Sequence, residues 1–233
     1  MHQNYSGEIK RTLKKKGFIS IFRGVKLYSE YFIHVLSNPF RSFKCGGKKF
    51  RYFYHPYNAT WRNERCIEIP LIKDILRKSR EKEILEFGNV TSHYLEINHE
   101  VLDKYEKAEG VLNEDIIHFN NSKKYDLIIC ISTLEHVGFD ETPKEPYKVL
   151  EAIEKLRKCL KTNGKIYITL PIGQNIPLDN FISSKKIKFD KEYLLKRISK
   201  NKWAEVDYKT ANKCKYNFPF PSANAIRFGI INK

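Results

Sequence analysis

The feature that most constrains this chain is a run of short apolar segments in its middle third. They are Ile84-Leu85-Glu86-Phe87-Gly88, Glu100-Val101-Leu102-Asp103, Gly110-Val111-Leu112-Asn113 and Tyr125-Asp126-Leu127-Ile128-Ile129-Cys130-Ile131-Ser132. Each has the length and near-continuous hydrophobicity of a strand covered on both faces. A helix follows over Tyr147 to Leu160, with Val149, Leu150, Ile153, Leu156 and Leu160 on one side and Asn163-Gly164 as its stop signal. Lys165 to Leu170 reads as a further strand, ended by Pro171 and Gly173. This alternation predicts an α/β fold with a mostly parallel, doubly wound sheet, whose ligands bind beyond the carboxyl ends of the strands.

The flanking segments are read in the same way. Phe18, Ile21, Phe22, Val25, Tyr28, Phe32, Val35 and Leu36 recur near helical spacing, with Arg23, Lys26 and Glu30 off the stripe, so an amphipathic helix is expected there. It packs on its own domain or lies on a lipid surface. Phe40 to Phe50, with Gly46 and Gly47, reads as a loop. A second helix is expected over about Arg65 to Arg80 with Pro70 near its start, and a third over about Asp190 to Lys200. Trp203 to Tyr208 and Ala225 to Ile231 read as the last two strands. The expected organisation is a basic helical N-terminal extension or lid over 1–60 and one α/β domain over 61–233.

Charge limits the partners. The chain carries 43 Lys+Arg against 27 Asp+Glu, a formal charge of +16. Residues 1 to 51 hold twelve of the basic side chains but only two acids, Glu8 and Glu30. Such a balance favours phosphate-rich, acidic or membrane-surface partners, and it also fits a solvated face. The five cysteines, Cys45, Cys66, Cys130, Cys159 and Cys214, are odd in number and widely spaced, which fits a reducing cytoplasm. No run of apolar residues is long enough to span a bilayer, and no grouping has metal-ligand spacing. The expected location is cytoplasmic, with peripheral contact at the inner membrane surface as a further possibility.

In order, the strand ends carry Glu86-Phe87-Gly88-Asn89, Asp103, Asn113-Glu114-Asp115 and Ser132-Thr133-Leu134-Glu135-His136-Val137. That series, over about Glu83 to Pro171, resembles the class I S-adenosylmethionine (SAM)-dependent methyltransferases. The final region, Trp203 to Ile231, is similar to the antiparallel strand pair that closes their Rossmann-like sheet. The resemblance implies SAM as cofactor, with Glu86, Gly88, Asn89, Asp103, Asn113, Asp115, Ser132 and Thr133 around it. A glycine after the first strand lets backbone approach a ligand, and a carboxylate can accept two hydrogen bonds from a ribose diol. Gly88 and Asp103 stand fifteen positions apart. The chain departs from the family in having a single glycine in that turn, and in connections too short for full crossover helices, with only ten residues from Asn89 to Asn98.

His136, after the fourth strand, is suited to accept a hydroxyl proton or to make a structural contact at a helix start. Glu135 would bind the acceptor or the methionine part of the cofactor, or serve as a helix N-terminal acid. His93 is the alternative base. Trp61, Arg62 and Arg65 could clamp an anionic substrate and stack a ring, or cap the core and form salt bridges. The segments Trp61 to Arg65, Glu86 to Val90 and Tyr216 to Ala225 resemble a methyltransferase subgroup associated with surface polysaccharide genes. The first expectation is therefore methyl transfer to a hydroxyl of a sugar, glycolipid intermediate or other small molecule. An RNA methyltransferase and a catalytically silent binding module are the alternatives.

Overall fold

A computed structural model describes residues 18–37, 41–200 and 202–233, with side chains of the first helix described from residue 24 onward. The basic residues Lys10 to Lys16 lie outside the described residues, so the N-terminal part of the expected extension is not described.

The elements in chain order are helix α1 (Phe18–Ser37), strands β1 (Ser42–Cys45) and β2 (Lys48–Arg51), α2 (Arg65–Lys78), β3 (Ile84–Phe87), β4 (Glu100–Leu102), β5 (Val111–Leu112), β6 (Tyr125–Ile131), α3 (Lys148–Cys159), β7 (Leu160–Pro171), α4 (Ile176–Ser183), β8 (Lys191–Ser199), β9 (Lys202–Val206), α5 (Tyr208–Ala211) and β10 (Ala225–Asn232). Among the described residues, eight strands form one sheet in the order β5-β4-β3-β6-β7-β10-β8-β9. The first five are mutually parallel, while β10, β8 and β9 pair antiparallel in turn. The fold is α/β and Rossmann-like, with an antiparallel closure at its C-terminal side.

The sheet is covered on both faces because β6 alternates. Leu127, Ile129 and Ile131 enter one core with Ile67, Leu71 and Ile72 of α2 and Phe43 and Cys45 of β1. Ile128 and Cys130 enter the other with Val149, Ile153 and Leu156 of α3 and Leu178 and Phe181 of α4. Side chains two apart share a face, so a strand buried on both faces needs apolar residues throughout. The first of these cores joins residues on both sides of position 60, so packing runs across the expected domain boundary.

Two sequence expectations are corrected. The segment expected as a loop forms the β1–β2 hairpin, turned by Gly46 and Gly47 at φ 58° and 78°, the left-handed pair that a two-residue hairpin turn requires. The segment expected as a helix over Asp190 to Lys200 is β8, held between β10 and β9, with Leu194 and Leu195 both buried. The two strands expected last are present as β9 and β10 and close the sheet antiparallel, each pairing with β8 between them. Pro70 sits at the sixth residue of α2, and the Cys66 carbonyl that its ring leaves without an in-helix donor instead accepts the Phe53 amide at 2.9 Å.

Candidate functional site

From β3 the chain moves outward to β4 and β5, then returns to the other side of β3 as β6 and continues to β7. The reversal between β3 and β6 leaves a crevice beyond their carboxyl ends. A cleft of ≈ 420 Å³ opens there, lined by Phe87, Gly88, Asn89, Asp103, Asp115, Ser132, Thr133 and His136, among others. Ligand-binding cavities commonly fall in the range of roughly 300–1,000 Å³.

The turn after β3 is held by two carboxylates. Gly88 has φ 88°, and a Cβ there would fall 2.1 Å from the Thr133 hydroxyl oxygen, so the position needs glycine for backbone freedom and space alike. Below the turn, fully buried Glu86 accepts the amides of Val90 and Thr91 at 2.9 and 2.8 Å and pairs with His99 Nε2 at 2.9 Å. Glu86 therefore shapes the loop from beneath the cleft. Beside it, Asp103 Oδ2 accepts the Asn89 amide at 2.9 Å, while Oδ1 accepts those of Tyr105 and Glu106 at 2.8 Å each. A carboxylate offers about four lone-pair sites, so Asp103 keeps acceptor capacity toward the cleft.

Asn113 does not line the cleft; its amide group donates to the carbonyls of Asp103 and Lys104 at 2.9 and 3.0 Å and ties the β4 loop to the β5 edge. Asp115 does line it, with Lys148 and Lys104 at 2.8 and 3.0 Å. Partial burial pushes the Asp115 carboxyl up, but the Lys148 and Lys104 hydrogen bonds and the Ile117 amide outweigh that and lower it to about 2.

On the opposite wall, Ser132 sits at φ 42° and donates its hydroxyl to Glu68 Oε1 at 2.6 Å. His136 Nδ1 lies 2.5 Å from Asp140 Oδ2, leaving Nε2 as the second ring nitrogen at the cleft. A carboxylate on one imidazole nitrogen fixes the proton there and makes the other an acceptor. Glu135 is buried, and neither of its side-chain oxygens has a hydrogen-bond partner. Burial, aided by the Glu68 charge, raises its carboxyl well above the usual carboxylate range.

The remaining expected site residues lie elsewhere. His93 stacks on Tyr57 at 4.6 Å and pairs with Glu106 at 3.1 Å, outside the lining of the cleft. Trp61 is buried, Arg62 pairs with Glu30 of α1, and Arg65 pairs with Glu68. Since each arginine already meets a different acid, the two do not converge as a clamp. Glu64 and Glu68 were missed by the sequence reading. They approach the cleft only because α2 packs across β6, with Ser132 sixty-four positions beyond Glu68, and no local spacing signals that pairing.

No family model matches the chain. Among curated proteins it is 28% identical over 78 residues to an uncharacterised protein of Methanocaldococcus jannaschii, a match spanning 33% of this chain and 30% of that relative's length. Similar solved structures include methyltransferases. The N-methyltransferase NodS from Bradyrhizobium japonicum, solved with S-adenosylhomocysteine (SAH), aligns with 69% of this chain and 84% of its own, at 13% identity and a TM-score of 0.44. A SAM-dependent methyltransferase from Archaeoglobus fulgidus aligns over 70% and 93%, at 16% identity and 0.43. TehB from Haemophilus influenzae aligns over 76% and 64%, at 14% identity and 0.43.

Proposed function

We propose that this protein is a SAM-dependent methyltransferase that methylates a hydroxyl of a sugar, glycolipid intermediate or other small molecule. The observation that carries the reading is the meeting of the Gly88 turn, the Asp103 carboxylate and His136 in one cleft at the β3/β6 switch point. The cleft fits the cofactor: the Gly88 turn lines it with backbone, and Asp103 keeps acceptor capacity for a ribose diol. Asp115 stands on the same side to receive the adenine end. When bound, SAM supplies an electrophilic methyl on its sulfonium.

Displacement at that methyl depends on alignment and on exclusion of water. The His136–Asp140 pair adds a proton acceptor for the incoming hydroxyl, with Asp140 setting the tautomer. Calorimetric titration with SAM and SAH, repeated on Asp103→Ala, tests the reading. Micromolar binding that the variant loses supports it, and absence of binding to either ligand moves the protein to a silent module.

The same reading extends to a glycolipid or surface-glycan acceptor through α1. One side of this helix docks on the domain, with the His34 ring 5.7 Å from that of Trp61 in a tilted contact and Glu30 paired with Arg62. The other leaves Val25, Phe32, Ile33 and Leu36 exposed, Leu36 by 76%. Lys10, Arg11, Lys14, Lys15, Lys16, Arg23 and Lys26 precede or begin that stripe in the sequence. An apolar stripe beside such a basic segment suits an anionic lipid surface. Among the described residues no helix is long and apolar enough to cross a membrane.

A further inference from the structure

We infer that Glu135, with Glu68 and Glu64 beside it, forms a binding site for a protonated amine on the methyl acceptor, so that the acceptor is an amino alcohol or amino sugar. This rests on the methyltransferase reading and narrows its substrate class.

Three glutamates crowd one region of the interior. Glu68 is fully buried and Glu64 and Glu135 nearly so. Arg65 is the guanidinium among them; it pairs with Glu68, and its charge only partly offsets the burial that raises the Glu64 and Glu135 carboxyls. Glu68 also accepts the Ser132 hydroxyl, and Glu64 accepts the Ala223 amide at 3.0 Å. Glu135 is different: both oxygens are without a hydrogen-bond partner although the side chain is only 1% exposed. Buried polar groups are nearly always hydrogen-bonded, so an unpartnered buried carboxyl marks a place suited to a polar or cationic ligand. Its Oε1 lies 3.8 Å from Nε2 of His136, an atom group of the cleft wall. Burial also raises the Glu64 carboxyl, and a cation arriving between these groups would offset the repulsion that Glu68 exerts on both.

Position in the sheet favours the acceptor over the cofactor as the source of the amine. The ribose carboxylate Asp103 follows β4, on one side of β3. The glutamates lie across β6, where Asn175, after β7, donates to the Glu135 carbonyl at 2.7 Å and Ala223, before β10, donates to Glu64. The amine site thus lies behind the cleft wall at His136, on the β6 side of the sheet, whereas Asp103 follows β4. An acceptor anchored there by its ammonium would present a neighbouring hydroxyl to Nε2.

The probe is ethanolamine, compared with ethylene glycol, which replaces the ammonium by a neutral hydroxyl. Both are titrated into the isotope-labelled protein with and without SAH, following the Ser132 and His136 amide resonances. Ethanolamine is expected to shift them saturably while ethylene glycol binds at least about tenfold more weakly. Glu135→Gln is expected to remove that preference and leave SAH affinity unchanged, with Glu64→Gln as a second variant whose fold is checked by thermal melting. Equal response to the two probes in the unaltered protein overturns the proposal without any variant. Loss of SAH affinity in Glu135→Gln, with ethanolamine binding intact, also overturns it and gives the carboxylate to the cofactor. Should SAH fail to bind the unaltered protein, the methyltransferase reading falls while the ethanolamine titration still decides the amine site.

Discussion

The Ser132 hydroxyl reaches Glu68 Oε1 at 2.6 Å, joining the carboxyl end of β6 to the first turns of α2 across the wall of the cleft. Ser132 also holds a left-handed backbone at φ 42°. Ser132→Ala keeps the unfavourable backbone and removes a donor from a buried carboxylate, an expected loss of about 2 kcal/mol. Ser132→Gly removes the same donor but relaxes the backbone, so it should be more stable than the alanine variant by about 1 kcal/mol. Chemical denaturation of the two variants side by side checks the order, and equal midpoints would contradict it.

Gly88→Ala places a methyl against Thr133 at a residue with φ 88°. The backbone change alone should cost about 1 kcal/mol or more, and the displaced turn should lower SAH affinity at least tenfold. Calorimetry on the folded variant separates the two effects; unchanged SAH affinity would remove this turn from the cofactor site.

His136→Ala and Asp140→Asn act on the same imidazole. Both should reduce turnover by roughly a hundredfold while leaving SAH binding within about twofold of the unaltered protein. A variant that loses cofactor affinity and turnover together would show that His136 positions the cofactor instead of taking a proton.

Stability should depend on acid through Asp115. Its carboxyl is lowered from near ~3.9 in an unfolded chain to about 2 in the fold. A lowered value means that the stabilisation is present above the unfolded value and disappears as pH falls through the folded one. The Asp115 contribution should therefore fade between pH ~4 and pH ~2, with Glu141, also lowered through Lys148 and Lys104 despite the opposing effect of burial, adding to it. Melting temperature against pH, compared with Lys148→Met, checks this; the variant should start lower at neutral pH and fall less steeply in that window.

Phe32→Asp with Leu36→Asp tests the outward face of α1. Sedimentation with phosphatidylglycerol vesicles should drop severalfold relative to the unaltered protein, while neutral phosphatidylcholine vesicles should retain little of either. Equal sedimentation of both proteins would leave this face without a lipid role.

The central architecture was legible because it rests on a local property. A strand covered on both faces must be apolar at consecutive positions, and Leu127 to Ile131 states this in the sequence itself. Cleft-lining residues such as Asp103, Ser132 and His136 followed, since they stand where strands end. The misread segments failed for a different reason. In β8, Lys191, Glu192, Lys196 and Arg197 surround Leu194 and Leu195 in a helix-like spacing, and only the flanking β10 and β9 make the segment a strand. In the β1–β2 hairpin the exposed lysines masked the alternation, although the paired glycines at 46 and 47 were a usable turn signal. Glu64 and Glu68 were not read as site residues, because Ala223 and Ser132 reach them only through long-range packing.

The edge made by β4 and the two-residue β5 is the thinnest part of the sheet, and no α-helix lies in the connection from β3 to β4 or from β4 to β5. Its order rests on loop clamps such as Asp103 with Asn89 and Asn113 with the β4 loop. A ligand seated between Asp103 and Asp115 would supply contacts that a crossover helix commonly provides. Such a ligand would act as a removable strut: filling the cleft and stiffening this edge would be one equilibrium, and amide exchange along Val101 to Leu112 is expected to slow in step with occupancy.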